Sequence, residues 1–369
     1  MTGKRTLGLG LIGCGAFGEF CMAALAAMDG VRPAGAADVV PEAAARFGER
    51  FDIPTFTTAA GLLARQDVNI VHIATPPSSH RELAVAAARA GKHVLCEKPL
   101  ATNIADGEAI LEAAREAGTI APVDFVLRYN AVTDAVKAVI DSGVLGSVLS
   151  ARLTNCAADS NLPAGHWFWK REVSGGIFVE HGVHFFDLYS HWLGDGEVID
   201  AHTEMREGTD QQDRVMCTVR HDCGAVASHY HGFDQHFAMD RTDHRLVCEL
   251  GDIRVDGWIP LTMSLDAVVD ETGATRLAEL MPGCEMETVE RLSGEVIPSR
   301  GRQRRATRRI RAVYEPNADK QAVYADSFRR LLADQMEFID NRKHRRRVGE
   351  SNGLVSLALA CRAVELAGG

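Results

Sequence analysis

The sequence has no C-x-x-C pair, although it contains nine cysteines scattered along its 369 residues. An odd number of scattered cysteines argues against a disulfide framework and favours reduced thiols, so we expect a cytoplasmic protein. No apolar run approaches the roughly 18 residues that a membrane span needs. The apolar stretch at residues 7–12 is also too short for a secretory leader. We therefore expect no membrane partner.

An excess of positive charge is also missing, because 40 Lys and Arg residues face 50 Asp and Glu residues, for a net charge of −10. A mildly acidic chain is a poor match to nucleic acid, and we expect no nucleic-acid partner. The apolar share of 46% is ordinary for a globular protein. The length exceeds one typical domain and indicates two.

The first third of the sequence alternates apolar, strand-like runs with longer segments rich in Ala, Leu, Glu and Arg. The strand-like runs are 6–12, 31–38, 69–75, 93–96 and 120–126, and the helical segments between them are 16–28, 41–51, 78–90 and 103–117. Apolar strands alternating with helices are typical of a parallel sheet covered on both faces. We predict an α/β protein whose residues 1–127 form a doubly wound, dinucleotide-binding Rossmann domain.

After residue 127 the pattern changes to one helix followed by successive strand-like stretches. The helix is 131–142, the strand-like stretches are 147–156, 198–206, 214–220, 225–233 and 245–250, and helical segments at 321–341 and 354–367 end the chain. Successive strands joined by short turns indicate a mostly antiparallel sheet. We assign residues 128–369 to a second α/β domain that binds substrate and forms the oligomer.

A run of arginines stands out in this second part. Its members are Arg300, Arg302, Arg304, Arg305, Arg308, Arg309 and Arg311. A solvated strand or loop, or a subunit contact with acidic residues, is the favoured interpretation. An anion or nucleic-acid site stays open as the alternative, because a charge run alone specifies little.

A G-x-G-x-x-G motif follows the first strand-like run and opens the first helix. Gly13 permits a tight turn, Gly15 lets a pyrophosphate approach the backbone, and Gly18 lets helix and strand pack closely. Ala16 and Phe17 lie in the first helical turn, whose N–H groups and positive dipole end favour phosphates. We predict that these five residues bind a dinucleotide.

An acidic residue, Asp38, ends the second strand-like run. A carboxylate at this place accepts hydrogen bonds from ribose hydroxyls and repels a 2′-phosphate. Val39 and Val40 follow, so no adjacent cation neutralises that phosphate. The sequence therefore predicts NAD rather than NADP as the cofactor.

Three further motifs carry a family resemblance: Thr75-Pro76-Pro77-Ser78-Ser79-His80, Glu97-Lys98-Pro99, and the segment from Gly175-Gly176 to Gly182-Val183-His184-Phe185-Phe186-Asp187. Together with the glycine motif they resemble the glucose-fructose oxidoreductase / inositol dehydrogenase / rhizopine catabolism (Gfo/Idh/MocA) family. The resemblance implies a Rossmann domain followed by a domain with a large open sheet. It also implies a bound nicotinamide cofactor, sugar or polyol substrates, and homodimers or homotetramers.

The resemblance implies catalytic roles for two residues. Lys98 matches the lysine beside the nicotinamide and the reacting hydroxyl, and His184 matches the acid/base histidine. Glu180 stands where the family usually has aspartate. If the segment is helical, Glu180 and His184 share a face, and the carboxylate can orient the imidazole.

The remaining site assignments fall into two sets. Assigned to the cofactor side, beside the glycine motif and Asp38, are Thr75, Pro76, Pro77, His80, Glu97 and Lys98. Assigned to the substrate side are Arg128, Tyr129, Asn155, Trp167 and His181. We assign no metal, because nothing in the sequence brings Glu180, His181, His184, Asp187 or the later histidines 229, 231 and 236 to one point.

The sequence thus predicts an NAD-dependent enzyme that transfers hydride to or from a secondary alcohol of a sugar, cyclitol or sugar derivative. Two alternatives stay open. One is redox-neutral glycoside or ether cleavage by transient oxidation and elimination, which would use the same residues. The other is a non-catalytic protein that senses dinucleotides.

Overall fold

The structure, a computed structural model, describes residues 6–159, 162–294, 296–299 and 302–368, with only the backbone of 297–299, 302 and 304. By contact density the chain divides into two compact units, Met1–Val126 with Gly165–Asp187 and Ala325–Cys361, and Leu127–Ala164 with Leu188–Tyr324 and Arg362–Gly369. The first break falls one residue from the expected division at 127/128. The first unit, however, also includes two later segments that sequence order assigned to the second domain.

The N-terminal part alternates strands and helices. In chain order these are β1 Leu7–Ile12, α1 Ala16–Ala26, β2 Val31–Ala37, α2 Pro41–Phe51, β3 Thr55–Phe56, α3 Ala59–Leu63, β4 Ile70–Ile73, α4 His80–Arg89, β5 His93–Cys96 and α5 Ile104–Ala117. The strands form a five-stranded parallel sheet in the order β3-β2-β1-β4-β5. Every residue of β1 and β4 is buried, as a sheet covered on both faces requires. The predicted Rossmann fold is confirmed.

The fifth strand of this sheet is not the one that the sequence predicts. The structure has the short strand β3, whereas 120–126 makes only an isolated bridge between Val123 and Cys96. This segment still pairs with β5, because Val94 N donates to Ile120 O at 2.8 Å and Cys96 N donates to Pro122 O at 3.0 Å. Pro122 has no N–H to donate, so the ladder is left incomplete.

The remaining elements build the second sheet and the C-terminal helices. They are α6 Ala131–Ser142, β6 Val148–Ala158, α7 Arg171–Ser174, α8 Val183–Leu193, β7 Gly196–Met205, β8 Gln212–His221, β9 Val226–Gln235, β10 Arg241–Cys248, β11 Gly251–Asp256, β12 Thr262–Val269, α9 Glu271–Leu280, β13 Glu285–Arg291, β14 Val296–Ser299, β15 Arg302–Arg305, β16 Arg308–Tyr314, α10 Lys320–Asp340 and α11 Glu350–Leu366. Within the described residues, nine strands form one sheet in the order β13-β16-β12-β11-β10-β6-β9-β8-β7. Only β6 and β9 pair in parallel, so the predicted mostly antiparallel sheet is confirmed.

Where it is described, the arginine run lies on β15, which pairs with β14 in a separate two-stranded sheet, and on β16 of the nine-stranded sheet. Arg309 donates to both carboxylate oxygens of Asp266 on the neighbouring strand, at 2.7 and 2.8 Å, and Arg311 donates to the same carboxylate at 3.2 Å. Arg308 pairs with Glu271. Arg300 lies outside the described residues. Cross-strand ion pairs therefore account for Arg309 and Arg311, and a pair between β16 and α9 accounts for Arg308.

The two C-terminal helices explain why residues 325–361 belong with the first unit. The ring of Phe328 on α10 lies 5.3 Å from the ring of His72 on β4. Gly353 on α11 lies so close to the β5 edge that an added Cβ would be 2.5 Å from a methyl carbon of Val123. Both helices therefore pack against the Rossmann sheet.

Candidate functional site

The three motif glycines differ in the space around them. A Cβ on Gly13, whose φ is +104°, would lie 2.4 Å from Ala74 O, and a Cβ on Gly18 would lie 2.1 Å from Gly13 O. A Cβ on Gly15 would meet nothing within 4 Å. Gly13 and Gly18 are thus required by packing, whereas Gly15 leaves exposed open space over the start of α1.

Asp38 lies directly beside this loop. Its Oδ2 accepts a hydrogen bond from Cys14 N at 2.7 Å, and its Oδ1 accepts one from Val40 N at 2.8 Å. The side chain of Val39 next to it is 85% exposed. The carboxylate is therefore fixed at the edge of the glycine loop, with two apolar residues after it.

The loop that follows β4 is tied to the loop that follows β5. Thr75 Oγ1 and Ser79 Oγ lie 2.7 Å apart, and the buried ring of His80 contacts Pro99 O at 2.8 Å and Thr75 O at 2.9 Å. Burial lowers the pKa of His80, although the two carbonyl acceptors oppose the shift. His80 thus joins two loops, and Pro76 and Pro77 begin the short turn that leads from β4 into α4.

Lys98 follows β5 and reaches the segment before α8. Its Nζ donates to Glu180 Oε1 at 2.6 Å and to Glu180 O at 3.0 Å, and the two side chains are 17% and 10% exposed. A charge-assisted pair with so little exposure is screened weakly by solvent. Lys98 and Glu180 therefore form the central contact of the candidate site.

Glu180 belongs to a π-helical turn, Phe178–Gly182, that leads into α8. Two glycines with positive φ precede it, Gly175 at +81° and Gly176 at +88°. A Cβ on Gly175 would lie 2.6 Å from Val179, so the close approach also requires glycine there. A π-turn changes the helical register that the i, i+4 spacing assumes. The structure pairs Glu180 with Lys98, and the expectation that Glu180 orients His184 stays a prediction.

Two histidines on this segment are held neutral. Burial, with the Lys98 charge as the second cause, lowers the pKa of His184 well below its ordinary value. The same two causes lower the pKa of half-buried His181 to about 3. The two rings lie 6.5 Å apart. At neutral pH both imidazoles are therefore uncharged.

Glu97 points into the core of the first unit. Its Oε1 lies 3.1 Å from His72 Nε2. Burial would raise the pKa of Glu97, but hydrogen bonds from His72 and Asp124 outweigh it and lower that pKa. Burial and the Glu97 charge raise the pKa of Asp124 well above its ordinary range. The carboxylate that we assigned to the cofactor side is thus bonded to two core residues.

The residues assigned to the substrate side are divided between the units. Trp167 and His181 lie in the first unit, and the Trp167 ring lies 5.1 Å from the ring of His166. Arg128, Tyr129 and Asn155 lie in the second unit and are all buried. Asn155 Nδ2 donates to Thr242 Oγ1 at 2.7 Å, which links neighbouring strands.

Sequence reasoning missed Cys21, His72 and Asp124, which surround Glu97. Cys21 lies on α1 three residues after the last motif glycine, and His72 stands inside the otherwise apolar strand β4. A polar residue within a fully buried parallel strand is a signal that could have found this cluster.

A glycine loop on a doubly wound sheet, with a lysine at the carboxyl end of β5, defines the dinucleotide-binding class of fold. Residues 7–125 match the description "Oxidoreductase family, NAD-binding Rossmann fold", and residues 133–254 match the "GFO/IDH/MocA C-terminal domain". These ranges cover more than half of the chain. The chain belongs to the Gfo/Idh/MocA family of oxidoreductases, which confirms the resemblance, including its NAD-binding domain.

Several curated proteins are similar to part of the chain. Levoglucosan dehydrogenase of Pseudarthrobacter phenanthrenivorans is 32% identical over 53% of this chain and 54% of its own length. Inositol 2-dehydrogenase of Gluconacetobacter diazotrophicus is 35% identical over 53% and 57%. The 2,7-anhydro-N-acetylneuraminate hydratase of Mediterraneibacter gnavus is 30% identical over 52% and 50%. The chain spans about half the length of these relatives.

Solved structures match over nearly the whole chain. Levoglucosan dehydrogenase in complex with NADH and L-sorbose has a TM-score of 0.78 at 22% identity, covering 98% of this chain and 97% of its own. An oxidoreductase from Agrobacterium radiobacter in complex with NAD+, L-tartaric acid and magnesium has a TM-score of 0.76 at 20% identity, covering 98% and 96%. These likenesses establish the fold. None of the helices formed by the described residues has the length and hydropathy to cross a membrane.

Proposed function

We propose that this protein is an NAD-dependent oxidoreductase that transfers hydride between nicotinamide and a secondary alcohol of a sugar, cyclitol or sugar derivative. The observation that carries the proposal is the nearly buried Lys98–Glu180 pair, 2.6 Å apart, whose ammonium acts electrostatically on neutral His184. A cation and a neutral base at one place are what alcohol oxidation needs. Membership of an oxidoreductase family supports the same activity.

The glycine loop fits a dinucleotide. Gly15 begins α1 with no side chain capping the helix, which leaves the N-terminal N–H groups of α1 to an anion. The open space at Gly15 would accept the pyrophosphate, and Asp38 would accept hydrogen bonds from the adenosine ribose. When bound, NAD supplies the hydride acceptor or donor. Thr75, at the carboxyl end of β4, would border the same crevice.

His184 is the proposed proton acceptor during oxidation of the alcohol. Because burial and the Lys98 charge keep the imidazole neutral, its lone pair is available to the hydroxyl proton. Lys98 would stabilise the developing negative charge on the same oxygen. Glu180 holds the ammonium through its carboxylate and its backbone carbonyl, so we assign it as a positioning residue.

The proposed cofactor preference is for NAD over NADP. The fixed carboxylate of Asp38 would repel a 2′-phosphate, and Val39 and Val40 offer it no cation. Calorimetric titration tests this preference, with at least about tenfold tighter binding of NAD expected, or roughly 1.4 kcal/mol. Equal affinities would remove Asp38 from this role.

A substrate screen tests the proposed reaction directly. The panel contains levoglucosan, inositols, anhydro-sugars and simple glycosides, each incubated with NAD, with NADH absorbance and product mass followed together. We expect NADH formation with at least one member and its loss in Lys98→Ala. A protein that binds NAD but converts no member would leave only dinucleotide sensing.

A second candidate is redox-neutral cleavage or hydration, in which transient oxidation acidifies a neighbouring C–H and elimination follows. The observation that favours it is the similarity to a protein named as a hydratase of an anhydro-sugar. The same lysine and histidine would serve both reactions. New product without net NADH in the screen would select this candidate.

We also propose that the protein forms a homodimer or homotetramer. Separately, we propose that five residues contribute to sugar recognition: Trp167, His181, Arg128, Tyr129 and Asn155. The half-buried Trp167 and His181 are the members whose rings retain some exposure, and an aromatic face suits the C–H face of a sugar. Multi-angle light scattering measures the oligomer. Trp167→Ala should raise KM more than it lowers kcat if the ring binds substrate.

A further inference from the structure

A second group of reactive side chains lies in the core of the first unit. Cys21 and His72 are fully buried, and Glu97 is 7% exposed. One metal-ligating atom from each of these three residues lies within 4.8 Å of the other two. Among the residues that the structure describes, no other three His, Cys, Asp or Glu side chains meet this condition.

The three donors stand on separate, well-buried elements. Cys21 belongs to α1, His72 belongs to β4, and Glu97 follows β5, which pairs with β4 in parallel. Asp124 lies beside this group without belonging to it, because its backbone N–H donates to Cys96 O at 2.8 Å and its carboxyl hydrogen-bonds Glu97. Rigid neighbours therefore hold the donor atoms together before any ligand arrives.

The cluster contains more acidic than basic groups. One thiol and two carboxyls face a single imidazole, all within a core that excludes water. Two polar atoms there, His72 Nδ1 and Asp124 Oδ1, are buried without a hydrogen-bond partner. Buried polar atoms without partners are costly, and a cation bound in this group would offset the excess of acidic side chains.

We propose that Cys21, His72 and Glu97 bind a divalent transition metal, with Zn²⁺ the best match. A thiolate, an imidazole and carboxylates form a typical donor set for zinc. Zinc–ligand bonds of about 2.0–2.3 Å place neighbouring donor atoms roughly 3.3–3.8 Å apart. Since the three donor atoms lie within 4.8 Å of one another, they need to approach by at most about 1.0–1.5 Å to bind zinc.

The site is closed and would be structural. The three donors are buried away from solvent, and a buried metal must be loaded as the chain folds. Its place under the Glu97–Lys98 turn means that the metal would stabilise the strand end that carries Lys98. The alternative is a metal-free network in which Glu97 bonds to His72 and to protonated Asp124, which is the other outcome of the test.

The test measures metal in the untagged full-length protein. The protein is produced in zinc-supplemented cells, dialysed, and analysed by inductively coupled plasma mass spectrometry. We expect an equimolar zinc content in wild type and a loss of at least about tenfold in Cys21→Ser and His72→Gln. Cys96→Ser is the matched control, since Cys96 is an equally buried free thiol outside the cluster, and it should keep the metal.

A cobalt-loaded protein gives a second measurement that does not depend on activity. Growth with Co²⁺ should produce a thiolate-to-cobalt charge-transfer band that persists in Cys96→Ser and disappears in Cys21→Ser. Wild-type protein without stoichiometric metal, or metal retained by both Cys21→Ser and His72→Gln, would overturn the proposal and leave the proton-sharing network. Should the variants fail to fold, the zinc content of wild type decides alone.

Discussion

The glycine loop after β1 and the π-turn before α8 carry the two halves of the candidate site, and they differ in what determines them. In the loop, the motif itself places Gly18 against Gly13 O and leaves Gly15 in open space, although Gly13 also lies against Ala74 O after β4. In the π-turn, the partner of Glu180 is Lys98, 82 residues away in the sequence. Local spacing predicts the first region well, whereas tertiary packing decides the second.

The largest expected effect comes from removing Lys98 or His184, the two residues proposed to stabilise charge and accept the proton. Lys98→Ala and His184→Ala should each lower turnover by at least about 100-fold, because each removes a positioned charge or base. The double variant should lose much less than the product of the two losses, since residues that act as a unit are non-additive. Single-turnover rates measure all three.

The control for these variants is cofactor affinity. His184→Ala should bind NAD as wild type does, because His184 is remote in sequence from the glycine loop and the proposed role is proton transfer. Wild-type rates in both single variants would refute the catalytic assignment while leaving dinucleotide binding intact.

Substitutions of Glu180 distinguish two roles for this residue, positioning Lys98 or carrying the proton itself. If Glu180 positions Lys98, Glu180→Gln should lower kcat to a value between those of wild type and Lys98→Ala, with KM changing little. Glu180→Asp, which keeps the carboxylate, should recover part of the loss. A Glu180→Gln variant as slow as His184→Ala, with no recovery in Glu180→Asp, would instead make Glu180 a proton carrier.

The glycine loop offers a matched pair of substitutions. Gly15→Val should abolish NAD binding and leave the melting temperature nearly unchanged, because its side chain enters open space where the pyrophosphate would lie. Gly18→Val should instead destabilise the fold by at least about 1–3 kcal/mol, since its Cβ collides with Gly13 O. Calorimetry and thermal unfolding measure the two effects. Similar behaviour of both variants would contradict the assigned division of roles.

Asp38 gives a smaller effect in the same region. Asp38→Ser should narrow the preference for NAD over NADP by about tenfold, because it removes the charge that opposes the 2′-phosphate. Cofactor titration with both dinucleotides measures the ratio. An unchanged ratio would place the adenosine ribose elsewhere.

The pH dependence of His184 is the smallest expected effect. Its pKa lies well below the ordinary value of about 6.5, so the imidazole stays neutral and able to accept a proton as the pH falls below that value. The rate of alcohol oxidation should therefore not fall as the pH passes through about 6.5. It should fall only at lower pH, where His184 becomes protonated. Because the Lys98 charge contributes to the lowering, Lys98→Met should raise the pKa of His184 in an NMR titration. A pKa that does not rise would place Lys98 too far away to act on it.

The same contrast explains which parts of the fold the sequence predicts. The alternation of apolar runs and helices is a local signal, and the bounds of α2 and α6 agree with it residue for residue. The strand expected at 120–126 does not form fully, because Pro122 has no N–H and interrupts its hydrogen bonding with β5. The apolar composition of the segment does not show this interruption. Short β3, with half-buried residues, carries no long apolar run to find.

The candidate site shows the same difference between residues placed by a local motif and residues placed by tertiary packing. Asp38 lies beside the glycine loop as the motif predicts, with its carboxylate on Cys14 N. Glu97 belongs to an equally specific motif, yet its carboxylate bonds to His72, because the packing of β4 against β5 decides where it points. Which residues share a strand end can be predicted from the sequence, but the direction of each side chain requires the three-dimensional packing.

The most direct test of the proposed function is isotope transfer from the substrate to the cofactor. The protein is incubated with NAD and panel sugars or cyclitols that carry deuterium on the carbinol carbons, and the recovered nicotinamide is analysed by mass spectrometry. In a net oxidation, deuterium should appear on the nicotinamide of the NADH that is formed, and it should be absent with Lys98→Ala. A redox-neutral reaction would instead return the deuterium to the sugar product and leave the recovered NAD unlabelled. No label on NADH with any panel member, or equal labelling by wild type and Lys98→Ala, would contradict net hydride transfer at this site.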